Sequence, residues 1–530
     1  FQMRLSFLLL FFASIGTTHS YKILVYSPRF SQSINNFLGN IADTLADAGH
    51  NVTTLIPIII AELRDGTHKS KTIHIQPSDE TTKIANSFTY EDGEFINDND
   101  LNIIHSIMFG KFFTGLLNSG CATVLDEPGL VDQLVNEKFD VMILENFEAC
   151  GTALSHIIKP KALITTAGAI PMGHQGMDFG LDSAMSYNPS PLIAELDVHS
   201  FSSRLWNMWA NFVYFVAFYA GKAEINTLFK ERYGPEFPGV HEIGSHAAFN
   251  FINTEPLIDF AAPTLSRIVS IGGIGAKEPK KLNGDLDRIL NLRKKTVLIS
   301  MGSIVQSFTL PLQIKQNIVK VCSQFPEVTF IWKYEQPEDA FAKSVSATAP
   351  NLHLFKWMPQ NDILADNRLT AFITHGGMAS TQETALRGKP GIYIPFFGDQ
   401  FRNAGMMQKN GLGTVFDKHD LYNADKFHAA VKDLLENESY YVNAAKVAAM
   451  IAKKPFSSKE LLVKTVEFAA EFGPSPALRP QSFDMSWIEY HNADIIAVFT
   501  VLSFIIFVSA LKVAKFVLSK VLRIAKVKKE

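Results

Sequence analysis

Side chains able to do chemistry crowd into one stretch, Trp357 to Gly413, which reads WMPQNDILADNRLTAFITHGGMASTQETALRGKPGIYIPFFGDQFRNAGMMQKNGLG. Trp357 and Gln360 come first. The run Ala371 to Thr374 follows, too short and too β-branched for a helix, and it predicts a buried strand. Next comes the turn His375-Gly376-Gly377, then a helix from about Ser380 to Arg387 that Gly388 and Pro390 end. A second buried strand, Gly391 to Pro395, leads to the polar turn Gly398-Asp399-Gln400. Strand, glycine-rich turn and helix in that order present backbone N–H groups to a phosphate at the carboxyl edge of an open α/β sheet. Each residue alone has a duller reading. Trp357 suits a half-buried core position, Ser380 and Glu383 have the S-x-x-E spacing of a capping box, and Asp399 fits a turn. Taken together and in this order, they favour a binding site.

The pattern WxPQ…THGG…QE…GxPxxxxPxFGDQxxNA closely resembles the signature of the UDP-glycosyltransferases, the membrane-bound glucuronosyltransferase superfamily, and a weaker likeness runs along the whole chain. The resemblance implies an α/β fold of two doubly wound Rossmann-like domains facing a cleft (the GT-B type), with a C-terminal transmembrane helix. It implies that Trp357 stacks on uracil while Gln360 hydrogen-bonds its edge. His375, Gly376 and Gly377 would meet the diphosphate above the Ser303 turn, Glu383 would hold the ribose hydroxyls, and Asp399 and Gln400 would read the sugar. The residue types suit these tasks. An aromatic face is worth about 1–3 kcal/mol to a stacked base. A fixed carboxylate suits a ribose diol. A helix N-terminus with an imidazole can stabilise a departing diphosphate without a metal. No cofactor is expected beyond the co-substrate, UDP-glucuronate or UDP-glucose, and the expected acceptor is small and lipophilic.

Departures from the family pattern gather where the acceptor would be activated. Relatives use a His in the first βα loop, oriented by a carboxylate after a later strand, both at the carboxyl edge of the sheet. Here the loop reads Ser31-Gln32-Ser33-Ile34-Asn35, with Ile34 or a neighbour where the His is expected, while Glu145 takes the carboxylate position. His50 is a poor substitute, because it lies at the opposite end of the helix. Ala379 stands where many relatives carry Asn, and Ala262 where glucuronate users often carry Arg, which weakens the case for glucuronate over glucose. The expected activity is inverting, metal-independent transfer of glucuronic acid or glucose, with Glu145 acting directly or with amines attacking without prior deprotonation. The alternative is a non-catalytic member that binds UDP-sugar or lipophiles, or that regulates an active partner subunit.

The elements that must position these groups read as two β-α-β systems. Lys22–Ser27 is a strand, Asn35–Ala48 a helix with Phe37, Leu38, Ile41, Ala42 and Leu45 on one face, and Asn51–Ile60 begins the next strand. Phe139–Leu144 is a strand with Glu145 just beyond it, and Ala162–Thr165 is another. Ser202–Tyr219 is conspicuously aromatic and reads as a core helix, a cover for an acceptor pocket, or a helix on a membrane surface. Pro256–Lys295, rich in Gly, Pro and charge, reads as the inter-domain linker. Thr296–Ser300, Val328–Lys333 and Leu352–Phe355 are strands of the second domain. The expected boundaries are a signal peptide over 1–20, an acceptor domain over 21–275, a linker over 276–295 and a donor domain over 296–455. Return helices over 456–490, a membrane span over 491–515 and a basic cytosolic tail over 516–530 complete the chain.

Composition bounds the rest. With 530 residues and 47% hydrophobic content the chain can bury two cores, and a net charge of -3 gives no hint of nucleic acid. The 42 Phe suggest apolar surfaces or pockets beyond ordinary cores. Of three cysteines, Cys322 reads as a buried thiol, and Cys121 and Cys150 are open to pairing, with free thiols the favoured reading. Arg4, the apolar run Leu5–Ile15 and the small residues to Ser20 read as a secretory leader. Ile495–Leu511 is uncharged and apolar, and Lys520, Arg523, Lys526, Lys528 and Lys529 behind it orient the bulk of the chain to the lumen. Lys526 and Lys528 resemble a dilysine retrieval signal, so the expected place is the endoplasmic reticulum membrane. Asn51-Val52-Thr53 and Asn437-Glu438-Ser439 are glycosylation acceptors. Asp98-Asn99-Asp100 and Asp285-Leu286-Asp287 have a metal-type spacing but lie in loop-like surroundings, and no His/Cys ligand cluster occurs. Assembly as a homo- or hetero-oligomer stays open.

Overall fold

The computed structural model describes residues 20–87, 96, 102–171, 174–181 and 183–527. The leader expected over 1–20 (Ser20 aside), Asp98-Asn99-Asp100 and the tail from residue 528 lie outside them. Runs apolar on both sides build two all-parallel sheets, as expected when helices cover both faces. The first holds β1 Lys22–Tyr26, β2 Asn51–Pro57, β3 Lys71–Ile75, β4 Val141–Glu145, β5 Ala162–Ala167, β6 Phe249–Ile252 and β7 Ile268–Ser270. The second holds β8 Lys295–Ser300, β9 Val328–Lys333, β10 Leu352–Phe355, β11 Leu369–Thr374, β12 Gly391–Tyr393 and β13 Gly413–Val415. Ile23 to Tyr26, all of β4 and all of β9 are buried.

Strand order is β3-β2-β1-β4-β5-β6-β7 in the first sheet and β10-β9-β8-β11-β12-β13 in the second. Both follow the doubly wound order, in which the chain's progress across the sheet reverses between two central strands. Ligands of open α/β sheets bind outside the carboxyl ends of those strands. The reversals fall at β1/β4 and β8/β11.

The helices that matter for the site are α1 Gln32–Asp47, α2 Ile103–Asp126, α3 Cys150–Ile158, α4 Phe201–Tyr233, α5 Met378–Leu386, α6 Gln400–Lys409 and α7 Ser458–Phe472. α1 buries Phe37, Leu38, Ile41, Ala42 and Leu45, the amphipathic set read from the sequence. α7 returns to the first sheet, where Leu462, Val466, Ala469 and Ala470 share a core with Ile23, Val25 and Phe37. α4 has 33 residues, extending well past the aromatic stretch. It buries Ala210, Val213, Ala217, Ile225 and Phe229 and exposes Phe201, Leu205, Met208, Phe212 and Tyr219. It packs on α2 so tightly that a Cβ at Gly110 would meet Ala217 O at 1.9 Å.

Two expectations need correction. The stretch Pro256–Lys295 is not all linker, because β7 pairs with β6 at the edge of the first sheet and Gly284–Leu290 is helical. Short strands between polar residues leave too weak a period to be seen in sequence. The favoured reading of Cys121 and Cys150 as thiols is also wrong, since the two are bonded with Cα atoms 5.7 Å apart. Only the packing of α2 beside α3 brings them together. Cys322 is a buried thiol as read. A bridge spanning 29 residues should contribute about 3–4 kcal/mol by chain entropy. Reductant, or Cys121→Ser with Cys150→Ser, is expected to lower the thermal midpoint accordingly.

Contacts divide the chain into two compact units, Phe1–Leu478 with both sheets, and Arg479–Glu530. In the second unit α8, Ala493–Val527, contains the stretch Ala493–Ile524, which is long and apolar enough to cross a membrane. It runs beyond the span expected at 491–515, because the lysines there interrupt an apolar run without stopping a helix.

Candidate active site

At the second reversal, β8 is followed by Met301-Gly302-Ser303 and β11 by His375-Gly376-Gly377, which opens α5. Gly302 and Gly376 have φ of +89° and +80°, a region that disfavours side chains. The His375 ring fills the space a side chain would need. A Cβ on Gly302 would lie 2.5 Å from its Cε1, and one on Gly377 2.5 Å from its Nε2. Gly377 is the N-cap of α5 and offers no side-chain hydrogen bond, so the first-turn N–H groups are open to an anion. Burial, then the charge of Lys333, lowers the His375 imidazole to about 4. It is therefore a neutral hydrogen-bond donor at physiological pH.

Lys333 was not singled out in the sequence. It ends the buried strand β9 and is 8% exposed. Its Nζ donates to Gly302 O at 2.5 Å and to Glu335 Oε1 at 3.0 Å, and lies 5.6 Å from the centre of the Trp357 ring. A lysine closing an otherwise uncharged strand was the available signal. Trp357 is 70% exposed, which removes the core-aromatic reading. Gln360 Nε2 donates to Ser380 Oγ at 3.0 Å and to Glu383 Oε2 at 2.7 Å. Ser380 lies inside α5 rather than at its N-cap, so the capping-box reading fails as well. Burial raises the Glu383 carboxyl, and the Gln360 hydrogen bond opposes the rise. Ser303 is exposed in the turn after Gly302.

Asp399 is the N-cap of α6 in a helical backbone conformation, without a capping bond. Its Oδ2 accepts from Asn403 Nδ2 at 2.8 Å, and burial raises its carboxyl. Gln400 Oε1 accepts from Phe396 N at 2.9 Å, so its carbonyl holds the turn. The start of α6 meets the phosphate-type turn directly, since a Cβ on Gly376 would lie 3.2 Å from Gln400 O.

Glu145 closes β4 at the first reversal and is buried. Thr166 Oγ1 donates to its Oε2 at 2.8 Å and Gly168 N to its Oε1 at 3.3 Å. Burial, the largest influence, pushes it up to about 8, and raises neighbouring Glu148 to about 7. Ile34 and Glu145 flank one spot, with Ile34 Cγ1 3.6 Å and Glu145 Oε2 3.9 Å from where a Cβ of Gly168 would lie. His50 is engaged elsewhere, with its Nε2 3.7 Å from Glu467 Oε1. Beside Ile34, the Phe113 ring lies 5.6 Å from that of Phe30 and 5.5 Å from that of Phe147. This aromatic wall accounts for part of the phenylalanine excess. Tyr214 of α4 has its hydroxyl raised by burial and then by the charges of Asp399 and Glu145. The carboxylates of Asp285 and Asp287 are taken by Arg288 at 3.3 Å and Arg368 at 2.8 Å. Among the described residues, no group of three or more His, Cys, Asp and Glu is gathered as metal ligands.

Two doubly wound sheets, one ending in an uncapped helix turn and the other in a buried carboxylate, form the GT-B architecture of glycosyltransferases. Solved structures share it. Os79 from O. sativa, in complex with U2F and trichothecene, superposes with a TM-score of 0.57 at 14% identity over 85% of this chain and 99% of that one. LpCGTa in complex with UDP gives 0.54 at 15% identity over 85% and 99%. The chain belongs to the UDP-glucoronosyl and UDP-glucosyl transferase family, whose model matches residues 21–529. Relatives include Caenorhabditis elegans ugt-48, whose name assigns it to the UDP-glucuronosyltransferases, at 30% identity over 515 residues, 94% of this chain and 96% of that protein. UDP-glucuronosyltransferase 1A8 of Rattus norvegicus is 28% identical over 393 residues, 73% and 71% of the two chains. The protein is accordingly a glycosyltransferase.

Proposed function

We propose that this chain transfers glucose or glucuronic acid from its UDP-sugar to small apolar acceptors, with inversion and with no metal in the reaction. The observation that carries the reading is the open N-terminus of α5 beside a neutral His375. Trp357 stacks on the uracil, and Gln360 and Glu383, joined by their hydrogen bond, read the base edge and the ribose diol. The acceptor oxygen or nitrogen bonds to the anomeric carbon as the bond to the UDP oxygen breaks on the opposite face. The electron pair stays on the diphosphate, where the first-turn N–H groups of α5, His375 and Lys333 receive the growing charge. Asp399 and Gln400 hold the sugar, and the Phe30, Phe113 and Phe147 wall takes the acceptor. The acceptor proton passes to Glu145 when that carboxylate is ionised, whereas an amine attacks while still neutral and gives up its proton to solvent afterwards.

A lumenal site on a single-pass chain in the endoplasmic reticulum membrane is supported by the Cys121–Cys150 bridge, which suits an oxidising compartment, and by the apolar α8 with its basic tail. Ile34 in place of a base favours a second reading, a member that binds UDP-sugar or lipophiles without transfer. Titration with UDP tests the part both readings share. Trp357→Ala and Glu383→Ala should each weaken UDP by roughly 5- to 150-fold, the equivalent of about 1–3 kcal/mol, at unchanged thermal midpoint. Unchanged affinity in both variants would sink the assignment.

A further inference from the structure

Helix α6 has two sides. Its N-cap and first residue are the proposed sugar readers, and from Arg402 onward it is docked on loops of the first sheet's half of the chain. Arg402 is the centre of that contact and is 1% exposed. Its Nη1 donates to Asp259 Oδ1 at 2.6 Å, its Nη2 to Asn188 Oδ1 at 3.1 Å and its Nε to Pro189 O at 3.2 Å. Nη1 also lies 3.3 Å from Met406 Sδ, the guanidinium is 4.9 Å from the centre of the Phe260 ring, and Arg402 N donates to Pro191 O at 3.2 Å. A guanidinium so far from water is costly unless its N–H fork is matched. Here two loops about seventy residues apart in sequence, at 188–191 and 259–260, match it together. One turn further along, a Cβ on Gly405 would lie 1.9 Å from Ala194 O, so helix and loop meet backbone to backbone.

The location gives the clamp a role beyond holding the fold. Asp399 is three residues from Arg402 and bonded to Asn403 next to it, and the same helix start presses on Gly376 of the phosphate-type turn. The turn that Arg402 fixes is thus the one that carries the proposed sugar readers Asp399 and Gln400. We infer that Arg402 is a positioning residue that locks the Asp399–Gln400 turn to the acceptor-side loops and so sets where the donor sugar sits against the attacking atom. This rests on the UDP-sugar reading above. Lysine keeps the charge but loses the planar fork, so it separates geometry from electrostatics.

The test compares affinities for UDP and for intact UDP-glucose and UDP-glucuronate in full-length protein, with thermal midpoints measured alongside. Arg402→Lys should bind UDP within about twofold of the native protein but lose roughly tenfold in affinity for the UDP-sugar relative to UDP. With a turned-over acceptor, kcat should fall by about 10²-fold, more than KM rises. The double variant Arg402→Met with Asp259→Asn, which leaves no buried carboxylate unpaired, should show the same pattern. An unchanged UDP-sugar to UDP ratio in Arg402→Lys would overturn the inference. So would a parallel loss of UDP affinity and thermal midpoint in both variants, which would make Arg402 a fold-holding residue only. Native protein that fails to bind UDP would sink the donor-site reading, and this inference with it. Native binding with no Arg402 effect would sink the inference alone.

Discussion

His375→Ala should lower turnover with a UDP-sugar by about 10²–10³-fold, the usual cost of removing one preorganised donor from a developing anion. The ring is held between Gly302 and Gly377, so its orientation is fixed by the backbone around it. It acts uncharged. Burial and Lys333 bring it to about 4 from an ordinary 6.5, and over that window the folded protein binds fewer protons than the unfolded chain. Stability is therefore lost as pH falls from 6.5 towards 4, and His375→Ala should flatten that part of the curve. Above pH 5 the rate contribution of His375 should not vary. His375→Gln, which can return an N–H, should recover part of the turnover, while UDP affinity changes less than turnover in both variants. A His375→Ala protein within a few-fold of native turnover would remove the imidazole from the mechanism.

The strands beneath this site were legible because buried parallel strands are continuous apolar runs. Val328–Lys333 and Leu352–Phe355 match residue for residue, and Lys22–Ser27 runs one residue past β1. The turns after β8 and β11 were legible as turns, since Gly302 and Gly376 stand where the backbone requires left-handed geometry. Long-range placement was not. Nothing local says that Cys121 lies against Cys150, or that β7 pairs with β6 inside a stretch that reads as linker. Lys333, Arg402 and Tyr214 were missed because much of their meaning comes from partners distant in sequence, up to 214 residues away for Arg402, rather than from spacing. The S-x-x-E ambiguity at Ser380 and Glu383 resolved only when Gly377 proved to be the N-cap and Gln360 the shared partner.

Glu145→Gln should separate acceptors by their chemistry. The native carboxyl sits at about 8, so at pH 7 most molecules hold it protonated and unable to take a proton. Transfer to phenols or alcohols should climb as pH rises through about 8. Glu145→Gln should abolish that climb and cost roughly 10²–10⁴-fold at its top. Transfer to amines, governed by the amine's own ionisation, should change by less than about threefold. The stability sign is the reverse of that for His375. Between the ordinary 4.5 and about 8 the folded protein holds the proton that the unfolded chain has lost, so stability falls as pH rises across that window. Glu145→Gln should remove about half of this slope below pH 7, where Glu148 contributes equally, and most of it between 7 and 8. Ile34→His then tests whether an imidazole at this position can serve as the base. Ile34 Cγ1 and Glu145 Oε2 lie 3.6 Å and 3.9 Å from one point, the place a Cβ of Gly168 would take, so the substitution puts an imidazole on the side of the carboxylate. The variant should raise phenol transfer at pH 7 by tenfold or more, on the order expected for a positioned base, and Glu145→Gln should cancel the gain. If phenol transfer is absent in the native chain at every pH, and Ile34→His restores none while UDP still binds, the first sheet lacks an acceptor geometry that a base can serve. The binding-only reading then stands in place of the catalytic one.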